Sequence, residues 1–361
     1  MPAAIYNISS TRKLGETAPQ TRLTNPTTPH PPRQPMTHHG RPPEDAPKSH
    51  ANPPSNHDWR ASFHGGHSWP FCDHATGSLD DILDAAASQR MAAYGVTEHA
   101  PRLDERFLYP DERKWGWDVR TLEEKFQEYF ETLDTLIARY RGDLEILRGF
   151  ESEVVPRSEY AAIYQEYRTR YAVDYIVGSV HHVGEISIDS FEPDFREALN
   201  AFGGLEPLAI AYYETLAEMV AALTPEIVGH FDLIRKFGTR FGDCETPAIR
   251  SAARTALQEI KLRGGILDLN TAGYRKNLGS PYPAPWVIQE AVKIGIPFAL
   301  GDDSHKAEEV GAHFDDARLY LLAHGVKSLT TLRKSDEGVR QVIASIELTE
   351  EEQERRQWRR K

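Results

Sequence analysis

From Trp59 onward the chain alternates short, nearly continuous apolar runs with stretches whose apolar residues recur every three or four positions. The runs in "ASFHG", "MAAYGVTEH", "LEILRGFESEV", "VDYIVGSVHH", "PEIVGHFD", "GGILDLN" and "GIPFALGDD" predict strands. Their unbroken Val, Ile, Leu and Phe content is that of strands covered on both faces. In "TLEEKFQEYFETLDTLIARY", Leu122, Phe126, Tyr129, Phe130, Leu133, Leu136, Ile137 and Tyr140 fall on one helical face, and Thr121 with Glu124 predicts a capping-box start. Ser78 with Asp81 predicts a similar opening for the helix before "VTEH". About seven βα units follow in order, which points to a parallel sheet or a barrel. No internal repeat is visible.

Composition divides the chain. Residues 1–58 hold 12 of the 24 prolines and almost no periodic apolar pattern, so they are expected to form a disordered tail. That stretch lacks the apolar core of a secretory signal, and its proline density disfavours the amphipathic helix of a transit peptide. Residues 59–345 are expected to form the folded domain, and the charged residues 346–361 a C-terminal helix or tail. Two cysteines, Cys72 and Cys244, imply no disulfide framework and fit a reducing cytoplasm. No apolar run reaches membrane-spanning length. A net charge of −12 argues against a general nucleic-acid binder.

Placing the histidines on this map exposes the candidate chemistry. Five of the fifteen lie in the tail; of the other ten, His64, His67, His74, His99, His181, His182, His230 and His305 sit at or just past a predicted strand end. Glu98, Glu151, Asp232, Asp302 and Asp303 join them there. A single strand-end histidine is more often a hydrogen-bonded structural residue than a ligand. Eight on one edge are another matter, because buried imidazoles need partners and the strand ends of a barrel converge on one mouth. Their number exceeds the three or four ligands of one ion, so more than one ion is expected. In "DDSH", Asp303 and His305 alternate by two and would point the same way if extended. Cys72 could ligate a soft metal, but a small buried core residue is the stronger reading.

In this order, "HGGHSWPFCDH", "GVTEHAP", "GFESEV", "GSVHH", "GHFDLIRKFG", "LDLNTAGYRK" and "DDSH" resemble the PHP (polymerase and histidinol phosphatase) superfamily, and within it the PHP-type histidinol-phosphatases. The resemblance runs from about Trp59 to near residue 325. It implies a distorted (β/α)7 barrel of α/β class with a site for three divalent ions, commonly zinc, iron or manganese. Carried over, Glu151 would bridge two ions. Asp303 and the opening histidines His64 and His67 would complete one shell, and His181 and His230 the second. The third ion would take His74, His99 and His305. One departure from the family pattern stands out: its opening histidines are spaced by one residue, whereas two glycines separate His64 from His67. Either those glycines loop out and bring His64 inward, which their conformational freedom favours, or the first ligand is lost.

The implied activity is hydrolysis of L-histidinol phosphate in histidine biosynthesis, with a small phosphate ester as the partner molecule. The alternative is another small ester, such as a nucleotide or sugar phosphate, and a non-enzymatic metal-retaining barrel is a third reading that the complete ligand set disfavours. Clustered divalent ions would neutralise the phosphate and supply hydroxide near neutral pH. Arg235 and Arg275, just past strand ends, are candidates for gripping the phosphate, while Lys236 reads as a surface residue. His182, beside His181, is the candidate acid for the leaving alkoxide. "RFLYPDERKWGWD" reads either as a loop over the mouth, with Trp115 or Trp117 able to cover an imidazole ring, or as a surface loop with buried tryptophans.

Overall fold

The computed structural model describes residues 58–359, with side chains to Glu354. The proline-rich tail, but for Asp58, therefore lies outside the described residues. Eleven strands follow in chain order among the described residues: β1 (Ala61–Ser62), β2 (Ala93–Val96), β3 (Ile146–Glu151), β4 (Tyr175–Gly178), β5 (His182–Val183), β6 (Ile186–Ser187), β7 (Ile227–Val228), β8 (Ile266–Asn270), β9 (Phe298–Gly301), β10 (Ser328–Ser335) and β11 (Gly338–Ser345). Seven of them form one all-parallel sheet in the order β1-β2-β3-β4-β7-β8-β9. The two edges meet: Phe63 donates its N–H to the Leu300 carbonyl at 2.9 Å, and Asp303 donates to the His64 carbonyl at 2.8 Å. The result is a nearly closed seven-stranded barrel with helices outside, so all seven predicted strands are present.

Side chains fill the barrel interior. Phe63, Leu147, Val177, Ile227 and Ile266 point inward around Tyr175, whose hydroxyl donates to the Phe63 carbonyl at 3.0 Å. Gly95 makes room for that ring, since a Cβ there would lie 1.9 Å from the Tyr175 hydroxyl. A larger apolar layer packs the outer strand faces against the helices. The helix at Val119–Arg139 buries Leu122, Phe126, Tyr129, Phe130, Leu133 and Leu136, as its periodicity predicts. Its start differs from the expected one. Asp118, not Thr121, is the N-cap, its carboxylate accepting from the Thr121 N–H at 2.7 Å. Ser78 and Asp81 do form the predicted capping box.

Sequence reasoning missed the β10–β11 hairpin. It lies across the end of the barrel remote from the histidines: Leu332 reaches into the interior core, and Arg333 donates to the Ala92 carbonyl. Residues 350–359 form a helix, tied by an Arg318–Glu352 ion pair at 2.8 Å. No helix among the described residues is long and apolar enough to cross a membrane.

Candidate metal centre

Strand ends β1 to β9 bring the histidines to one mouth, above a cleft of about 520 Å³. At its floor sits Glu151, the last residue of β3, with almost no exposure. Its Oε1 lies 3.0 Å from His64 Nε2, 3.1 Å from His230 Nε2 and 3.4 Å from His181 Nε2. Its Oε2 faces the other way, 3.0 Å from His99 Nδ1 and 3.8 Å from His67 Nε2. The carboxylate thus separates two groups of imidazoles, as a bridging ligand would.

The glycines after His64 explain how it arrives there. Gly65 and Gly66 take φ of +149° and +83°, conformations that L side chains rarely adopt. A Cβ on Gly65 would fall 2.2 Å from the Asp302 carboxylate. The loop carries His64 to Glu151 and Asp268, while His67 lies 3.7 Å from Asp303 Oδ1. Asp303 itself has φ +49°, so "DDSH" is not extended at that residue and the alternation by two does not hold. Asp303 faces His67, and the His305 ring stacks between His67 and His74, with centroids 4.4 Å and 4.7 Å away.

Buried donor atoms without proton partners test whether these residues suit metal. Both nitrogens of His67 are buried without a hydrogen-bond partner. His64 Nδ1 pairs with Asp268 Oδ2 at 2.7 Å, which turns Nε2 toward Glu151, so a proton or a metal cation must lie between those two acceptors. Burial opposes a charge on His64, but the Glu151 and Asp268 carboxylates outweigh it and hold its pKa well above the usual value. Burial likewise opposes ionisation of Glu151, yet His64 and His181 hold it well below the carboxylate range. His181 Nε2 and His230 Nε2 are 3.3 Å apart. Two nitrogens on one tetrahedral ion at about 2.0–2.1 Å would be roughly that far apart. Four overlapping groups meet the spacing for an ion: His64, Glu151 and His230; His64, His67 and Asp303; His67, His99 and Glu151; and Cys72, His74, His99 and His305.

A shell of carboxylates behind the imidazoles went unread in the sequence. Asp268 orients His64, Glu153 approaches His181 Nδ1 at 3.2 Å, and Asp73 holds His74 Nδ1 at 2.8 Å. Such partners fix which ring nitrogen is free for metal. Asp268, a lone carboxylate in the apolar run "GGILDLN", was the one legible signal.

Of the expected phosphate-gripping residues Arg275 lines the cleft, whereas Arg235 and the expected acid His182 lie elsewhere. Arg235 donates to Asp232 Oδ2 at 3.0 Å and to Ser280 Oγ at 3.1 Å, and it does not line the cleft. Its neighbour Lys236 does, as do Arg275 and Lys276. Arg275 uses Nη2 to hold the Asp302 and Asp303 carbonyls, both at 2.8 Å, and leaves a buried Nη1 unpartnered. His182 turns away from the mouth: its ring lies near Phe107 and Tyr109, and it lines a separate small cavity with Val154 and Gly184. Trp115 and Trp117 pack near Trp69 and cover no imidazole, although Tyr109 and Asp111 of the same loop line the cleft.

Comparison with known proteins agrees with this geometry. The PHP domain family matches residues 65–272. A Schizosaccharomyces pombe protein named "Probable histidinol-phosphatase" is 34% identical over 78% of this chain and 92% of its own. The Bacillus subtilis histidinol-phosphatase is 30% identical over 68% of this chain and 94% of its own. A Lactococcus lactis histidinol phosphate phosphatase, solved with zinc, L-histidinol and phosphate, shares the fold at TM-score 0.58 and 19% identity, covering 76% of this chain and 96% of that one.

Proposed function

We propose that this chain, which belongs to the PHP domain family, is a metal-dependent phosphomonoesterase that hydrolyses L-histidinol phosphate to L-histidinol and phosphate. The observation that carries this reading is Glu151, whose two oxygens face two separate groups of imidazoles at the floor of a cleft whose lining includes Lys236, Arg275 and Lys276. Three ions are proposed: one at His64, His67, Asp303 and Glu151, one at Glu151, His181 and His230, and one at His74, His99 and His305. When bound, divalent ions in such a cluster neutralise phosphoryl oxygens and lower the pKa of water. Zinc, iron and manganese all suit imidazole with carboxylate.

The protein's own groups supply the rest. Arg275, with its free Nη1, and Lys236 and Lys276 are placed to hold phosphate oxygens. Asp189 lines the same cleft and has a buried Oδ1 without a partner. Burial opposes its charge, but Lys236 and His181 keep its pKa below the usual value. An ionised carboxylate there suits the ammonium or imidazolium of an amino alcohol, which a sugar phosphate lacks. Two unpaired cysteines and the biosynthetic reaction favour a cytoplasmic location. The test is phosphate release by the metal-loaded protein from L-histidinol phosphate and from a panel of nucleotide and sugar phosphates. L-histidinol phosphate is expected to give the highest kcat/KM; an equal or greater kcat/KM for a sugar phosphate, which carries no cationic group, overturns the substrate assignment.

A further inference from the structure

We propose that Cys72 binds the third metal ion through its sulfur, so that this position is a closed site of one thiolate and three imidazoles, chemically unlike the other two. The inference rests on the trinuclear reading above. Cys72 is 3% exposed, and its Sγ lies 3.5–3.6 Å from the two nitrogens of His74. A tetrahedral zinc with sulfur at about 2.3 Å and one imidazole nitrogen at about 2.0–2.1 Å sets that pair roughly 3.5–3.6 Å apart, the separation of Sγ from His74 Nε2, and a turn of the His74 ring aims its lone pair at the shared ion. Cys72, His74, His99 and His305 each offer one atom within 4.8 Å of the others.

The neighbours free the right atoms. Asp73 Oδ1 engages His74 Nδ1 at 2.8 Å, leaving Nε2, 3.6 Å from the sulfur, as the lone pair. His305 Nδ1 donates to the Asp303 carbonyl at 3.0 Å, leaving its Nε2 free. His99 Nε2 is buried and has no partner. Four such ligands fill a tetrahedral shell, as in structural zinc sites, and a thiolate selects thiophilic ions over manganese. Loading this site moves the thiol proton to solvent as the sulfur–metal bond forms.

The experiment uses the full-length protein loaded with zinc, and separately with cobalt(II), and compares Cys72→Ser with Cys244→Ser. Zinc-edge X-ray absorption of the unmodified protein is expected to require a sulfur neighbour at about 2.3 Å. The cobalt form is expected to show a sulfur-to-metal charge-transfer band in the near ultraviolet. Cys72→Ser should lose that band and about one metal equivalent per chain, and Cys244→Ser should keep both. An unmodified protein that holds metal but shows neither sulfur scattering nor the band overturns the Cys72 assignment alone. Persistence of the band in Cys72→Ser overturns it equally. A protein that binds no metal overturns the trinuclear reading as well.

Discussion

At the scale of single residues, the roles follow from what each polar group touches. Asp268 shares its Oδ2 between His64 and Asn270, so Asp268→Asn would disturb the ring that faces Glu151. A drop of about 10- to 100-fold in metal affinity is expected, measured by competition with a chromophoric chelator. The two arginines separate by the same logic. Arg275→Ala is expected to lower kcat/KM by about 10- to 100-fold, the loss of a charged hydrogen bond of roughly 1.5–3 kcal/mol. Metal content should stay normal, since the Asp303 N–H still bonds to the His64 carbonyl. Arg235→Ala should instead destabilise the fold by about 3 kcal/mol in denaturant titration, because it strands the buried Asp232 carboxylate. The sequence signalled the imidazoles because histidines recur beside apolar runs. It could not rank Arg235 against Arg275, because which cation faces the cleft depends on Ser280, which arrives from another part of the chain and holds the Arg235 guanidinium together with the neighbouring Asp232.

At the scale of elements, apolar runs and helical periodicity located the seven barrel strands and the long helix, since both patterns record burial locally. The β10–β11 hairpin left no such record. Along β11 mostly exposed or half-exposed positions alternate, and the hairpin's purpose is a long-range contact, Leu332 against the barrel interior. Leu332→Ala is therefore expected to cost about 2–5 kcal/mol of stability while leaving metal content and KM unchanged, because the plug lies at the end remote from the mouth. Unfolding by urea, read beside elemental analysis of the same sample, checks both halves of that statement. The turn at Asp303 is the complementary case. "DDSH" carries no proline or glycine to announce a left-handed residue; its φ of +49° goes with long-range contacts, the Asp303 N–H donating to the His64 carbonyl and Arg275 donating to the Asp303 carbonyl.

At the scale of the whole molecule, barrel closure turns separate sequence motifs into a single site. β1 and β9 are more than 200 residues apart in the chain, yet their seam brings His64 and His67 beside Asp303 and His305. Glu151 enters from β3 on the far side and completes the cluster. Helices and inner side chains pack around this arrangement, and the cleft leaves room for a small phosphate ester above it. The central claim is that this cluster, loaded with metal, performs the hydrolysis. It is tested most directly by stripping the protein with chelator and titrating metal back while following phosphate release from L-histidinol phosphate. The account predicts no turnover in the stripped protein and a return of activity that breaks at three equivalents per chain. Turnover that survives removal of the metal, or that returns in full at one equivalent, would contradict it.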